Sequence, residues 1–382
     1  MSAGLKIALV QDALPFRGGA ERMLEAVLEI LPHASLYTLV YNAPAFHGMR
    51  IAARQVHTSF IDRLPGARQS HRAYLPLFPF AIEQFDLSDY DLILSFSYAV
   101  AHGVLARPGQ RHICFCYTPL RYAWHQYHAA FRQGGPGAGL RSWPLRILLH
   151  YLRLWDQAAA SRVDGYVAVS NWVAQLVWRA YRRPARVIYP PVEVDHFTPL
   201  SPRQDYYMVL SRLVPHKRVD LIVEAFSRSG RPLIVVGAGE EQSRLSWLAS
   251  SNVQILGWQP EEKVRSLLAR AKALVHAAEE EFGIALVEAQ AAGCPVIAFG
   301  RGGAAETVIP GKTGLLFPDQ TVESILEAVE IFENSRLLFS VDDLRWNAER
   351  FRKERFQQEV LNLIEQQSPV AVSDLLYTPQ DP

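Results

Sequence analysis

The stretch EEEFGIALVEAQAAG, residues 279–293, decides the fold more than any other part of the sequence. Glu280 and Glu288 stand eight positions apart, and the run between them is apolar and contains Gly283. Such a run is typical of a helix that packs against a sheet. The segment that follows, GCPVIAFGRGG (293–303), contains an apolar strand pattern. Together they predict a parallel α/β sheet, with Glu280 in the loop before a helix and Glu288 inside it.

The same alternation of strands and helices runs through both halves of the chain. Segments that are apolar throughout are typical of strands buried on both faces of a parallel sheet. They occur at 6–12, 35–41, 92–97, 112–117, 165–170 and 186–192, and again at 205–213, 232–239, 253–258, 273–278, 295–300 and 314–317. We therefore predict two Rossmann-like, doubly wound α/β domains that face a central cleft.

The predicted boundary lies in a proline-rich stretch, YPPVEVDHFTPLSPRQD, with few helix or strand signals. The first domain is predicted to cover residues 1–195, joined by a C-terminal helix at about 345–367. The second covers residues 200–344, and residues 368–382 read as a loose tail.

Composition excludes several classes of protein. The 382 residues include 39 Lys plus Arg and 38 Asp plus Glu, so no overall field favours nucleic acid. Three cysteines are too few for a disulfide framework and favour a reducing compartment. The N-terminal segment lacks the pattern of a signal peptide, and no apolar run has the length of a membrane span. We expect a cytoplasmic protein, with attachment to a membrane surface left open.

Ligands of doubly wound sheets bind at the carboxyl ends of strands, so residues directly after the predicted strands are the candidate ligand-binding positions. SRLVPHKRVD follows a predicted strand and places Arg212 and Lys217 five residues apart. The planar guanidinium and the compact ammonium together suit a diphosphate, although an ordinary solvated loop has the same composition. VVGAGEE (235–241) holds half of a dinucleotide fingerprint or a plain tight turn, and its missing third glycine argues against a nicotinamide dehydrogenase.

The helix in the opening stretch predicts a phosphate site. If it begins near Phe282, the amides of Phe282, Gly283 and Ile284 form a positively polarised end that favours anions. Glu280 and Glu288 then reach groups on opposite sides of the phosphate, such as the hydroxyls of a nucleotide sugar. The alternative is a capping carboxylate and an unrelated surface glutamate, but Glu288 lies in an apolar run where a charge needs a partner.

A further glycine pair lies near the N-terminus. PFRGGAERMLEAVLEIL (15–31) places Gly18 and Gly19 after the first strand, at the start of an amphipathic helix. The pair is compatible with a loop that covers a ligand and equally with a plain turn.

These motifs as a set resemble one family. GGAE, Arg212 with Lys217, Glu280-x7-Glu288, GRGGAAETV and the later GLLF are similar to the retaining nucleotide-sugar glycosyltransferases of family 4, which have the two-Rossmann-domain "B" fold. The resemblance runs from Lys6 to about Phe356. It implies that no metal and no cofactor are needed.

The resemblance also implies roles for the candidate residues. Glu280 would contact the hydroxyls of the donor sugar, and Glu288 the nucleotide ribose. Arg212 and Lys217 would hold the diphosphate, beside the amides of residues 282–284. The remaining donor-side residues are Trp258, which would shape the base pocket, and Gly18 and Gly19 across the cleft.

Two first-half segments, RAYLPLFPFAIEQFDL (72–87) and CFCYTPLRYAWHQYH (114–128), narrow the resemblance to bacterial mannosyltransferases of surface-polysaccharide and O-antigen assembly. That subgroup often has His-Thr-Pro and Arg-Tyr-x-Trp-Asp, where this chain has Tyr117 and His125. The acceptor-side candidates are Tyr117, Arg121 and His125. The resemblance implies GDP-mannose as donor and a glycan or lipid-linked glycan as acceptor, with UDP-sugars as the alternative donors.

Other interpretations stay open. A nucleotide-sugar epimerase or a glycan phosphorylase has the same fold, and an inactive scaffold would keep the cores while losing the charged set. Residues 141–163 predict a helix with an apolar stripe, which fits either a core helix or a helix docked on a membrane surface.

Overall fold

The computed structural model describes residues 5–131, 142–334 and 339–367. These residues form two compact units, which divide between Tyr189 and Pro190 and again between Phe356 and Gln357. The first divide lies within the predicted boundary stretch, after its first residue, and the second lies inside the predicted C-terminal helix. The predicted tail, 368–382, lies outside the described residues.

Unit 1 contains a parallel sheet with helices in the connections. Its strands are β1 (Ile7–Gln11), β2 (Ser35–Thr38), β3 (Val56–Thr58), β4 (Leu92–Ser97), β5 (Arg111–Cys116), β6 (Gly165–Ala168) and β7 (Ala185–Val187). Its helices are α1 (Gly19–Ile30), α2 (Ala67–Ser70), α3 (Phe78–Glu83), α4 (Tyr127–Phe131), α5 (Trp143–Ala160) and α6 (Asn171–Tyr181). The strand order is β3-β2-β1-β4-β5-β6-β7. The central strands β1 and β4 are buried along their whole length, as their continuous apolar pattern predicts.

Unit 2 repeats the design. Its strands are β8 (Tyr207–Leu210), β9 (Leu233–Val236), β10 (Val253–Gly257), β11 (Ala273–His276), β12 (Val296–Phe299) and β13 (Gly314–Phe317). Its helices are α7 (Val219–Ser229), α8 (Gln242–Leu248), α9 (Glu261–Arg270), α10 (Ile284–Ala291), α11 (Ala304–Thr307), α12 (Val322–Asn334) and α13 (Val341–Glu349); α14 (Lys353–Gln367) begins in unit 2 and continues into unit 1. The order is β10-β9-β8-β11-β12-β13, and all the pairings are parallel.

Both sheets reverse their strand order beside their first strand. In unit 1 the reversal lies between β1 and β4, and in unit 2 it lies between β8 and β11. This is the Rossmann-type order. The loops that follow the two strands at the reversal run in opposite directions and leave a crevice for a ligand between them. The predicted doubly wound α/β class is therefore confirmed for each unit.

One helix prediction is wrong in detail. The run 345–367 is not continuous, because α13 ends at Glu349 and α14 begins at Lys353. Between them Phe351 is completely buried, and its carbonyl accepts a hydrogen bond from the Val192 amide at 2.9 Å. The chain leaves the helix there because this backbone group pairs with another segment.

One side of helix α5 packs into the core of unit 1, as the core interpretation of residues 141–163 predicts. Leu149, Leu152 and Ala159 are buried, and Leu145 and Leu148 pack against the same core. Within the described residues, no helix is long and apolar enough to cross a membrane.

Candidate functional site

Three charged or ionisable side chains meet at the strand reversal of unit 2. Lys217 lies in the loop after β8, His276 is the last residue of β11, and Glu280 follows four residues later. The Lys217 ammonium contacts both carboxylate oxygens of Glu280, at 2.5 and 2.6 Å. Nε2 of His276 lies 2.9 Å from Oε1 of the same carboxylate. The structure thus brings together two residues that the sequence assigned to one site, and adds a third.

The cluster is largely shielded from water and its charge is balanced. The side chains of Lys217 and Glu280 are 13% and 12% exposed, and His276 is buried. Burial by itself would raise the pKa of Glu280, but the charge of Lys217 and the contact with His276 hold that pKa well below its ordinary value. Glu280 is therefore a carboxylate at neutral pH, and it can accept hydrogen bonds from hydroxyl groups.

The segment GRGG (300–303) holds the backbone of Glu280 in place. The Gly303 amide donates a hydrogen bond to the Glu280 carbonyl at 2.7 Å. Gly302 has a φ of +66°, and a Cβ added there would lie 2.3 Å from the same carbonyl oxygen. Only glycine allows this approach. The glycines after β12 therefore fix the loop after β11, which explains why GRGG follows the opening stretch.

Helix α10 begins two residues later than predicted. It starts at Ile284, because Gly283 precedes it in a left-handed conformation with a φ of +88°. Phe282 lies before the helix, and its ring packs against Phe351 with centroids 5.3 Å apart. The polarised amide end of the helix therefore belongs to Ile284 and the residues after it, and not to Phe282.

The other donor-side candidates occupy different settings in unit 2. Glu288 is the fifth residue of α10 and is 7% exposed. Trp258 follows β10, at the sheet edge, and is 72% exposed. Arg212 is exposed, and its guanidinium makes no hydrogen bond or ion pair within the part of the chain that the structure describes. Arg212 and Trp258 thus follow strands, and Glu288 lies within helix α10.

The Gly-x-Gly segment after β9 packs against the loop that carries Arg212 and Lys217. A Cβ on Gly237 would lie 1.8 Å from the Ser211 carbonyl oxygen, and one on Gly239 would lie 2.1 Å from that of Leu213. The Leu213 amide also donates to the Ala238 carbonyl at 3.0 Å. Both glycines are therefore explained by the close approach of two backbone segments. This agrees with the interpretation of VVGAGEE as a plain tight turn.

In unit 1, two of the candidate regions touch. The Tyr117 hydroxyl donates a hydrogen bond to the carbonyl of Ala20 at 2.9 Å, in the first turn of α1. This turn follows Gly18 and Gly19. Burial, with the nearby Glu21 carboxylate, raises the pKa of Tyr117 well above its usual value. Tyr117 is therefore a neutral hydrogen-bond donor that fastens the loop after β5 to the glycine turn.

Arg121 and His125 follow Tyr117 in the same loop, which runs from β5 to α4. Arg121 is half-buried and His125 is exposed. Trp124 holds this loop in place, because its Nε1 donates a hydrogen bond to the Asp156 carboxylate at 2.6 Å. His102 approaches the same carboxylate at 3.3 Å. The sequence patterns did not reveal this buried network, since its members are far apart along the chain.

A second carboxylate that sequence reasoning missed is Asp12, directly after β1. It is completely buried, and its oxygens accept hydrogen bonds from the four consecutive amides of residues 98–101 after β4. Burial raises its pKa and these bonds lower it, with burial the stronger. The signal that could have found Asp12 in the sequence is a polar residue directly after an apolar strand, at the strand reversal.

Two family models match consecutive parts of the chain. Residues 193–351 match the model of Glycosyl transferases group 1, and residues 17–196 match that of Glycosyltransferase Family 4. The matches together run from residue 17 to residue 351, which includes every strand after β1 and the charged cluster. The chain belongs to the group 1, family 4 glycosyltransferases.

Individual relatives are distant. A GDP-mannose-dependent monoacylated alpha-(1-6)-phosphatidylinositol monomannoside mannosyltransferase of Corynebacterium glutamicum is 36% identical over 166 residues, which are 36% of this chain and 43% of that protein. The matches with the first three curated relatives span 20%, 43% and 64% of those relatives' lengths.

Solved structures show the same fold, called GT-B. Sucrose-phosphate synthase from Thermosynechococcus elongatus superposes with a TM-score of 0.72 at 18% identity, covering 95% of this chain and 99% of that one. Anabaena HepE in complex with UDP gives 0.69 at 20% identity, covering 95% and 100%. At these identities the likeness concerns the fold alone.

Proposed function

We propose that this protein transfers a hexose, with retention of anomeric configuration, from a nucleotide sugar to a glycan or lipid-linked glycan. The observation that carries the proposal is the contact of Lys217 with Glu280 at the strand reversal of unit 2. A paired cation and carboxylate at this position match the two parts of a nucleotide sugar, a diphosphate and a ring of hydroxyls. Family membership supports the reaction class.

Each residue of the cluster has a role in the proposed reaction. Lys217 and the exposed Arg212 face the diphosphate, and the amide end of α10 adds its positive dipole. Glu280, ionised at neutral pH, accepts hydrogen bonds from the sugar hydroxyls. Glu288 and Trp258 are proposed to meet the ribose and the base.

The proposed chemistry uses the leaving group as the base. The acceptor hydroxyl attacks the anomeric carbon on the face from which the diphosphate departs, the bond between that carbon and the phosphate oxygen breaks, and the hydroxyl proton passes to the departing diphosphate. Negative charge grows on the phosphate oxygens in this step, so fixed cations and a helix dipole lower the barrier.

GDP-mannose is the first-choice donor. The subgroup resemblance of segments 72–87 and 114–128 supports it, as does the name of the Corynebacterium relative. UDP-sugars are the second candidate, supported by the fold likeness to a protein solved with UDP. We propose Tyr117, Arg121 and His125 as acceptor-side residues, and a cytoplasmic reaction, which the three free cysteines support.

The donor is tested by thermal shift with GDP, UDP, ADP and their sugars. A ligand at 100 times its Kd stabilises the folded state by about 2.7 kcal/mol, which is readily measured. GDP-mannose is expected to give the largest shift, and a larger shift with a UDP-sugar would replace it as donor. Release of nucleoside diphosphate with a glycan acceptor then tests turnover; donor binding without release would instead indicate a nucleotide-sugar-binding scaffold.

A further inference from the structure

Helix α5 in unit 1 exposes a row of large apolar side chains. Trp143, Ile147, Tyr151 and Leu154 are 64%, 64%, 62% and 59% exposed. Their spacing of four, four and three residues places them along one side of the helix. We call this row the α5 outer face. The opposite side of the same helix is the one packed into the core, so α5 is apolar on both sides.

The charge that α5 itself carries at its surface is positive. Asp156 is the only acidic residue in α5, and it is completely buried, where it accepts the Trp124 hydrogen bond. Arg146 and Arg153 lie along one flank of the face, with their guanidinium carbons 4.0 Å from the ring centre of Phe131 and 4.8 Å from that of Tyr127. The accessible surface of the helix therefore combines apolar groups and cations with no carboxylate.

The sequence around α5 extends this bias. Between Asp91 and Asp156 there are no Asp or Glu residues, while seven arginines occur, Arg107, Arg111, Arg121, Arg132, Arg141, Arg146 and Arg153. The whole chain is nearly neutral, so the acid-free tract is a local feature. Local cationic segments next to exposed Trp, Tyr and aliphatic groups are the chemistry that anionic lipid headgroups and the upper acyl region attract.

We infer that the α5 outer face docks on the surface of an anionic phospholipid bilayer. Its apolar row enters the boundary between headgroups and acyl chains, with Trp143 and Tyr151 at headgroup depth. Arg146 and Arg153 lie beside the lipid phosphates. A second copy of the same face is a poorer occupant, because two cationic surfaces repel each other. The inference concerns attachment and does not depend on which sugar is transferred.

The test is flotation of the full chain with vesicles of about 70% phosphatidylcholine and 30% phosphatidylglycerol at low salt. The wild type should float, and binding should fall with about 0.5 M NaCl or with pure phosphatidylcholine. Ile147→Glu with Leu154→Glu should lower the partition coefficient at least about tenfold. Ile147→Lys with Leu154→Lys is the matched pair, which loses the same apolar area but keeps the attraction, and should bind more strongly than the glutamate pair.

A control substitution lies outside this surface. Trp247 in α8 of unit 2 is 87% exposed, and Trp247→Ser should float like the wild type. Circular dichroism and melting temperature verify that all variants fold. We expect them to fold, because the substituted side chains are exposed to solvent. Failure of the wild type to float, equal flotation of the glutamate and wild-type chains, or binding unaffected by lipid charge and salt would overturn the inference. No donor or acceptor is present, so the result is separate from that of the donor test.

Discussion

The contact of Lys217 with Glu280 predicts a measurable energetic coupling. Lys217→Met removes the cation and leaves a carboxylate that is only 12% exposed, with His276 as its remaining neighbour. Removing one partner of a fully buried pair costs about 3–5 kcal/mol. Since both side chains keep some access to water, we expect about 2–3 kcal/mol for Lys217→Met, and about 1–2 kcal/mol for Glu280→Gln, which keeps a neutral oxygen. The double variant should cost at least about 1.5 kcal/mol less than the sum.

Thermal unfolding of the full chain measures this cycle. For a unit of this size, about 2–3 kcal/mol lowers Tm by about 4–12 °C. The pKa of Glu280 is depressed, so the pair stabilises the protein above the ordinary pKa of 4.5 and the benefit is lost as the pH falls through the folded pKa. The gap between wild type and Glu280→Gln should therefore narrow below about pH 4.5. Additive single costs, or an unchanged Tm for Lys217→Met, would refute the reasoning.

Three further changes have defined outcomes. Lys217→Ala should lower kcat by at least about 100-fold, the scale of one preorganised charge contact, and a change in KM alone in steady-state assays would exclude that role. Gly239→Ala should destabilise unit 2 by at least about 2 kcal/mol, as measured by denaturant unfolding, because its Cβ would lie 2.1 Å from the Leu213 carbonyl oxygen. Gly311→Ala is the contrasting control: Gly311 has a left-handed φ of +76° but nothing within 4 Å of an added Cβ, so it measures backbone strain without a clash and should cost less. Burial raises the pKa of Asp156 to about 7, so as the pH rises this carboxyl ionises in the unfolded chain before it ionises in the folded protein. The wild type should therefore lose stability relative to Asp156→Asn as the pH rises from about 4 to 7. Melting temperatures across this range measure the difference, and a constant difference between the two proteins would contradict the prediction.

The fold could be predicted from sequence because its central strands are buried on both faces. All twelve predicted strands are present, although most are shorter than predicted; β7 ends at Val187 because prolines follow it at 190 and 191. The missed strand, β3, has only three half-buried residues, so it has no apolar run to detect. The break between α13 and α14 was missed because Phe351 fits a helical apolar pattern, while its carbonyl pairs with Val192, far away in sequence.

The site could be predicted only in part. Residue types after strands pointed to Lys217 and Glu280, but their direct contact depends on how the loops after β8 and β11 meet at the strand reversal. His276 reads as one more residue of an apolar strand, and only the fold turns it toward Glu280. Gly302 and Gly303 belong to a recognised motif, yet their action on the Glu280 carbonyl is a matter of three-dimensional approach.

Calorimetric titration with GDP-mannose and with GDP, on the wild type and on Glu280→Ala, tests the central claim most directly. If Glu280 holds the sugar while Lys217 and the end of α10 hold the diphosphate, the substitution should abolish the extra affinity that the mannose supplies and leave GDP binding in place. Wild-type protein that binds neither ligand, or a variant that keeps the full preference for the sugar nucleotide, would contradict the account.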